Sequence, residues 1–109
     1  MSNDQEFIPL SVPHIAGNEW KYVKDCLDTG WVSSVGSYVN QFEQDFAKIT
    51  QTSHAVACVN GTAALHIALV TCGVKPGDQV LVSNLTFIAS ANSISHAGAT
   101  PIFIDAEPD

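Results

Sequence analysis

Apolar positions along the chain change period twice. Residues 1–17 show no helical period, and Pro9 and Pro13 each push the preceding residue toward extended geometry, so this stretch reads as an extended arm. Asn18 can cap a helix with Glu19 in its first turn. Trp20, Val23 and Leu27 then share one face, and Gly30 supplies the stop. Residues 31–37 have no clear period and read as a loop. Val39, Phe42, Phe46 and Ile49 are spaced by three and four, which predicts a second amphipathic helix over about 38–50.

From His54 the texture differs. Residues 55–59 are a continuous apolar run, the mark of a strand buried on both faces. Asn60-Gly61-Thr62 is a sharp turn, and Ala63 to Cys72 is apolar nearly all round, as in a buried helix. Lys75-Pro76-Gly77-Asp78 carries Pro and Gly at type II turn positions. Residues 79–83 predict a second strand, 88–97 a small-residue helix closed by Gly98, and 101–105 a third strand. Strand and helix thus alternate β-α-β-α-β over 55–105, which predicts an α/β fold with a mainly parallel sheet.

Composition narrows the function classes. The 109 residues carry a formal net charge of −7 and are 46% apolar but only 14% charged. That argues against disorder, and it suggests a segment that sits inside something larger. The four lysines, Lys21, Lys24, Lys48 and Lys75, form no basic stripe for nucleic acid. No apolar run is long enough for a membrane span, and MSNDQEF lacks the regions of a signal peptide, so a cytoplasmic protein is expected. Cys26, Cys58 and Cys72 are odd in number and form no CxxC pair, and Cys58 and Cys72 lie in apolar runs, so they are expected as buried thiols. His14, His54, His66 and His96 match no metal-binding spacing.

Two segments could carry chemistry. In Asn60-Gly61-Thr62-Ala63-Ala64, Gly61 allows close backbone approach, and the N–H groups of Thr62 and Ala63 are donors at a helix N-terminus, with the Thr62 hydroxyl beside them. This is a phosphate cradle on physical grounds, or Thr62 merely caps its helix. In Asn84-Leu85-Thr86-Phe87, at the end of a strand where α/β sheets bind ligands, Phe87 offers a flat face to an aromatic cofactor or is a core residue starting a helix. The acidic end, Asp105, Glu107 and Asp109, reads as a solvated loop.

Several ordered motifs together carry a resemblance. They are Gly30-Trp31-Val32-Ser33-Ser34-Val35-Gly36, Phe42-Glu43 with Phe46-Ala47, Asn60-Gly61-Thr62-Ala63-Ala64-Leu65-His66, Pro76-Gly77-Asp78, Leu85-Thr86-Phe87-Ile88-Ala89, and Gly98-Ala99-Thr100-Pro101-Ile102-Phe103-Ile104-Asp105. From about Phe7 onward the chain resembles the start of a DegT/DnrJ/EryC1/StrS aminotransferase, and its opening resembles the subgroup making 4-amino sugars for legionaminic-acid-type nonulosonates. The resemblance implies the N-terminal part of the large domain of the fold type I, pyridoxal 5'-phosphate-dependent transferases. Residues 1–109 would be an arm, two helices and the first three strands. It implies that Gly61, Thr62 and Ala63 hold the cofactor phosphate, that Phe87 stacks on the pyridine, and that Ser33 and Ser34 contact substrate. It also implies a homodimer that moves an amino group, from a donor such as glutamate, to a nucleotide-linked keto-sugar at C4. The Schiff-base lysine of the family lies beyond residue 109, so no catalytic residue is assigned, and the isolated chain is expected to be inactive. A truncated module binding a phosphate compound or a partner chain, and an unrelated flavodoxin-like domain, are the alternatives. In the family the first strand does not neighbour the second, so residues 55–59 are expected to pair elsewhere or to leave an open edge.

Overall fold

Left-handed residues punctuate the chain where the apolar periods break. The computed structural model describes residues 7–106. Residues 7–17 carry no regular secondary structure, as the two prolines require. Helix α1 spans Glu19–Thr29 and ends at Gly30, whose φ of +75° suits a residue without a Cβ. Asn18 makes no side-chain capping bond; it joins the helix through its carbonyl, which accepts the Tyr22 N–H at 3.0 Å. Helix α2 spans Ser37–Thr50 and ends at Gln51, a non-glycine residue at φ +55°.

Helix α3 spans Gly61–Thr71, strand β1 Gln79–Ser83, helix α4 Ile88–His96 and strand β2 Thr100–Ile104. The strands are parallel, with Gln79 opposite Thr100 and Ser83 opposite Ile104. Pro101 lies near the start of β2, one of the strand positions where a missing N–H is tolerated. The two-stranded sheet and α3 both pack on α4, and the core sits there. Ala91, Ile94, Ala97 and Ala99 are buried, and Ser93 is 1% exposed with its hydroxyl donated to the Ser90 carbonyl at 2.8 Å. Small side chains let α4 approach its neighbours closely, which is what the small-residue run was for.

The C-terminal ends of α3 and α4 meet. Gly77 donates its N–H to the Gly98 carbonyl at 3.0 Å, joining the turn after α3 to the turn after α4. The N-termini of α3 and α4 therefore lie at the opposite end, beside the carboxyl ends of β1 and β2.

Residues 55–58 depart from the expected strand: they are in no ladder. A strand exists only when a neighbour takes its backbone groups, and among the described residues no strand lies beside this run. One donor is satisfied otherwise, since the Ala57 N–H donates to Glu43 Oε1 of α2 at 2.8 Å. The apolar faces of α1 and α2 are likewise open. The Phe42 and Phe46 rings lie tilted to each other 5.7 Å apart and both are exposed, as is Ile49. The chain exposes 9398 Å², against about 5,800 Å² for a folded monomer of this mass. Its radius of gyration is 19.2 Å, against about 13 Å for a compact domain of this length. The cysteines follow this openness and correct the sequence expectation. Cys26 and Cys58 are half-buried and Cys72, the C-cap of α3, is exposed.

Candidate functional site

The head of α3 is built by Asn60. Its backbone is extended, and its Oδ1 accepts the Ala63 N–H at 2.9 Å. Asn60, not Thr62, is therefore the cap. The helix begins at Gly61, so only the residue before it can reach back across the first turn. This corrects the sequence expectation in one respect: the Ala63 N–H is already spent. The unspent donors are the N–H groups of Gly61 and Thr62, which have no partner among the described residues, and the Thr62 hydroxyl. A Cβ built on Gly61 would meet nothing within 4 Å, so the approach to these donors is open. Three converging donors on the positive end of a helix are chemically suited to a phosphate dianion.

Phe87 is the N-cap residue of α4, with φ −66° and ψ 140°. Its ring is 77% exposed, so within this chain it is not a core side chain. The loop that carries it is tied at both ends. Asn84 donates its N–H to the Ile104 carbonyl at 2.9 Å, extending the β1–β2 ladder, and the Thr86 and Ser90 hydroxyls lie 2.9 Å apart. Gly61 and Thr62 thus stand at the same end of the α3–α4 pair as Phe87, one at each helix head.

Ser33 and Ser34 lie elsewhere. Ser33 lines a groove of about 620 Å³ between α1 and α2, beside Trp31, Val35 and Phe42; Ser34 does not line it. Neither groove wall includes Thr62 or Phe87. A second groove, of about 560 Å³, runs from Phe42 past Val56 to Asn60, Gly61 and Ala64. Phe42 borders both, so Ser33 and the head of α3 open onto neighbouring grooves rather than one site.

Three of the lysines are engaged elsewhere. Lys75 sits in the turn at the far end of α3, where its N–H donates to Asp78 Oδ2 at 2.8 Å. Lys24 pairs with Asp28 on α1 and Lys48 with Asp45 on α2. The Lys48 ammonium holds the Asp45 carboxyl below the usual aspartate range. Of the acidic end, Glu107 and Asp109 lie outside the described residues, whereas Asp105 accepts a hydrogen bond from the Asn84 side chain at 2.7 Å. The sequence reading missed this pair and the Glu43–Ala57 bond. Both join residues 14 or more apart, and no local period marks them.

Comparison with known proteins shows the family. Over 106 residues the chain is 50% identical to the GDP-perosamine synthase of Caulobacter vibrioides, covering 97% of this chain and 29% of the relative. It is 48% identical to the spore coat polysaccharide biosynthesis protein SpsC of Bacillus subtilis, covering 91% of this chain and 25% of that one. Among solved structures, a putative sugar aminotransferase of Streptococcus pneumoniae in its PLP form superposes with a TM-score of 0.82 at 38% identity, over 94% of this chain and 26% of that one. The chain thus spans between a quarter and a third of these relatives' length. The family is dependent on pyridoxal phosphate, and its model matches residues 13–109. The chain belongs to the DegT/DnrJ/EryC1/StrS aminotransferase family.

Proposed function

We propose that this chain carries the phosphate-holding and ring-stacking residues of an aminotransferase that uses pyridoxal 5'-phosphate. Its substrate in this reading is a nucleotide-linked keto-sugar, aminated at C4 with glutamate as donor, for surface-polysaccharide or nonulosonic-acid biosynthesis. Residues 1–109 form the arm, the two helices and the leading strands of the large domain. The whole enzyme is a cytoplasmic homodimer. The observation that carries the reading is the set of unspent donors on Gly61 and Thr62, at the same end of the fold as the exposed Phe87. The relatives support the substrate class: one is a GDP-perosamine synthase and one is a spore coat polysaccharide biosynthesis protein. No described helix is long and apolar enough to cross a membrane.

When bound, pyridoxal phosphate supplies an electron sink through which an amino group passes between carbon skeletons. The chain's own residues bind and orient. Gly61 and Thr62 N–H groups and the Thr62 hydroxyl take the phosphate oxygens, and Ala63 joins them only when Asn60 Oδ1 releases its N–H. Phe87 covers one face of the ring and keeps water from it. Ser33, at the α1–α2 groove, and Ser34 beside it meet the sugar nucleotide. No lysine here is placed to attack or to move a proton at the substrate, so the chain by itself is expected to bind without turnover.

Pyridoxamine 5'-phosphate is the clean probe, because it forms no bond with surface lysines. Titration calorimetry on the chain should show binding that inorganic phosphate competes away and nucleotides do not. Thr62→Ala and Phe87→Ala should each weaken it about five- to ten-fold, a lost hydrogen bond or stacking contact apiece. Equal affinity in both variants, or preference for a nucleotide, sinks the reading.

A further inference from the structure

The loop at residues 84–87 is held by bonds of two kinds. Most are local: Leu85 N–H to Ser83 Oγ at 3.2 Å, the Thr86–Ser90 hydroxyl pair, and Ser90 N–H to the Phe87 carbonyl at 3.0 Å. One side-chain bond reaches across the sheet. Asn84 Nδ2 donates to Asp105 Oδ1 at 2.7 Å, from the residue after β1 to the residue after β2. The same oxygen accepts the Ala106 N–H at 3.0 Å, which fixes the carboxylate on its own backbone. The Asn84 N–H is bonded to Ile104 in the same step of the ladder. Asn84 is thus locked by backbone and side chain to the end of β2. Phe87 follows three residues later with its ring 77% exposed. The loop sets where the Phe87 Cα–Cβ bond points, and so which positions the ring's staggered rotamers can reach.

We propose that the Asn84–Asp105 bond is a positioning device for Phe87. Tying the carboxyl ends of the two strands together holds the 84–87 loop so that the Phe87 ring stands where it can cover the cofactor ring. Asn84 and Asp105 are positioning residues that act through Phe87. This rests on the reading of Phe87 as the stacking residue.

The test uses the chain labelled with 4-fluorophenylalanine. Its five phenylalanines give five fluorine resonances, and Phe87→Leu identifies the one that matters. Asn84→Ala removes the donor, and Asn84→Asp sets two carboxylates face to face. Adding Asp105→Asn to Asn84→Asp removes the like-charge pair and remakes the cross-strand bond with donor and acceptor exchanged, though an amide NH2 at 105 cannot also accept the Ala106 N–H. Both single variants should move the Phe87 resonance and leave the other four in place. They should weaken pyridoxamine 5'-phosphate about three- to ten-fold with the affinity for inorganic phosphate unchanged, and the double variant should recover part of both readouts relative to Asn84→Asp. An unmoved Phe87 resonance in Asn84→Ala overturns the proposal. So does an equal loss of inorganic phosphate binding, which marks general damage to the fold. A wild-type Phe87 resonance indifferent to pyridoxamine 5'-phosphate overturns the stacking reading and the proposal with it. That failure is seen before any substitution is made, which separates it from a bond that does not position the ring.

Discussion

The two halves of this chain satisfy the same demand to different degrees. From Gly61 to Ile104, two strands and α3 close on α4, and every fully buried residue of the described chain lies there. From Phe7 to Asn60, two amphipathic helices form on schedule, yet none of their residues is buried. They touch through side chains: the Tyr22 and Tyr38 rings meet edge to face at 5.0 Å. The difference teaches that a helix needs only its own period and caps to be specified, whereas a core needs two faces that find each other.

The largest effect that could break this contrast is in the core. Ile94→Ala is expected to cost about 3 kcal/mol, through lost burial and the cavity left behind. Ile49→Ala, on the open face of α2, should cost no more than about 0.5 kcal/mol. Urea unfolding followed by amide exchange over 61–104 checks the pair, and equal costs would mean that α2 is packed after all.

Glycines sharpen the contrast at smaller scale. Gly30 and Gly98 have nearly the same backbone, at φ +75° and +77°. A Cβ on Gly98 meets Pro76 at 3.0 Å, and a Cβ on Gly30 meets nothing within 4 Å. Gly30→Ala should cost about 1 kcal/mol for the left-handed backbone alone. Gly98→Ala should cost about 2–3 kcal/mol, because the βαβ turn cannot give way. The shift in denaturation midpoint measures each.

The smallest effect is electrostatic. The Asp25 carboxylate near Tyr38, with a smaller contribution from desolvation, raises the Tyr38 hydroxyl above the ordinary tyrosine value. Whatever stability this adds is present below the ordinary tyrosine value and is lost as pH rises through the raised one. Absorbance titration at 295 nm, taken as wild type minus Tyr38→Phe, should show late ionisation, and Asp25→Asn should bring it earlier.

Most of this architecture was legible before any coordinates. The pattern placed β1 at its observed bounds and each helix within about two residues, because Gly30, Gly73 and Gly98 break the period where the chain turns. Residues 55–59 were not legible in the same way. Their apolar run states a need for neighbours and cannot supply them. Thr62 reads from sequence as the possible cap, and Asn60 holds that place because the helix starts two residues before its apolar run, at Gly61. Phe87 was ambiguous because apolarity alone does not separate a core ring from an offered one. Asn84–Asp105 was invisible, since a bond spanning 21 residues leaves no local trace.

The Glu43–Ala57 bond has a consequence for pairing at this edge. On the side of residues 55–58 to which the Ala57 N–H points, a docking strand would meet a donor that Glu43 already holds. An edge whose N–H is already claimed by a carboxylate is a poor template for a stray strand from another molecule. Glu43 belongs to α2, so on that side pairing along residues 55–58 is coupled to where α2 sits.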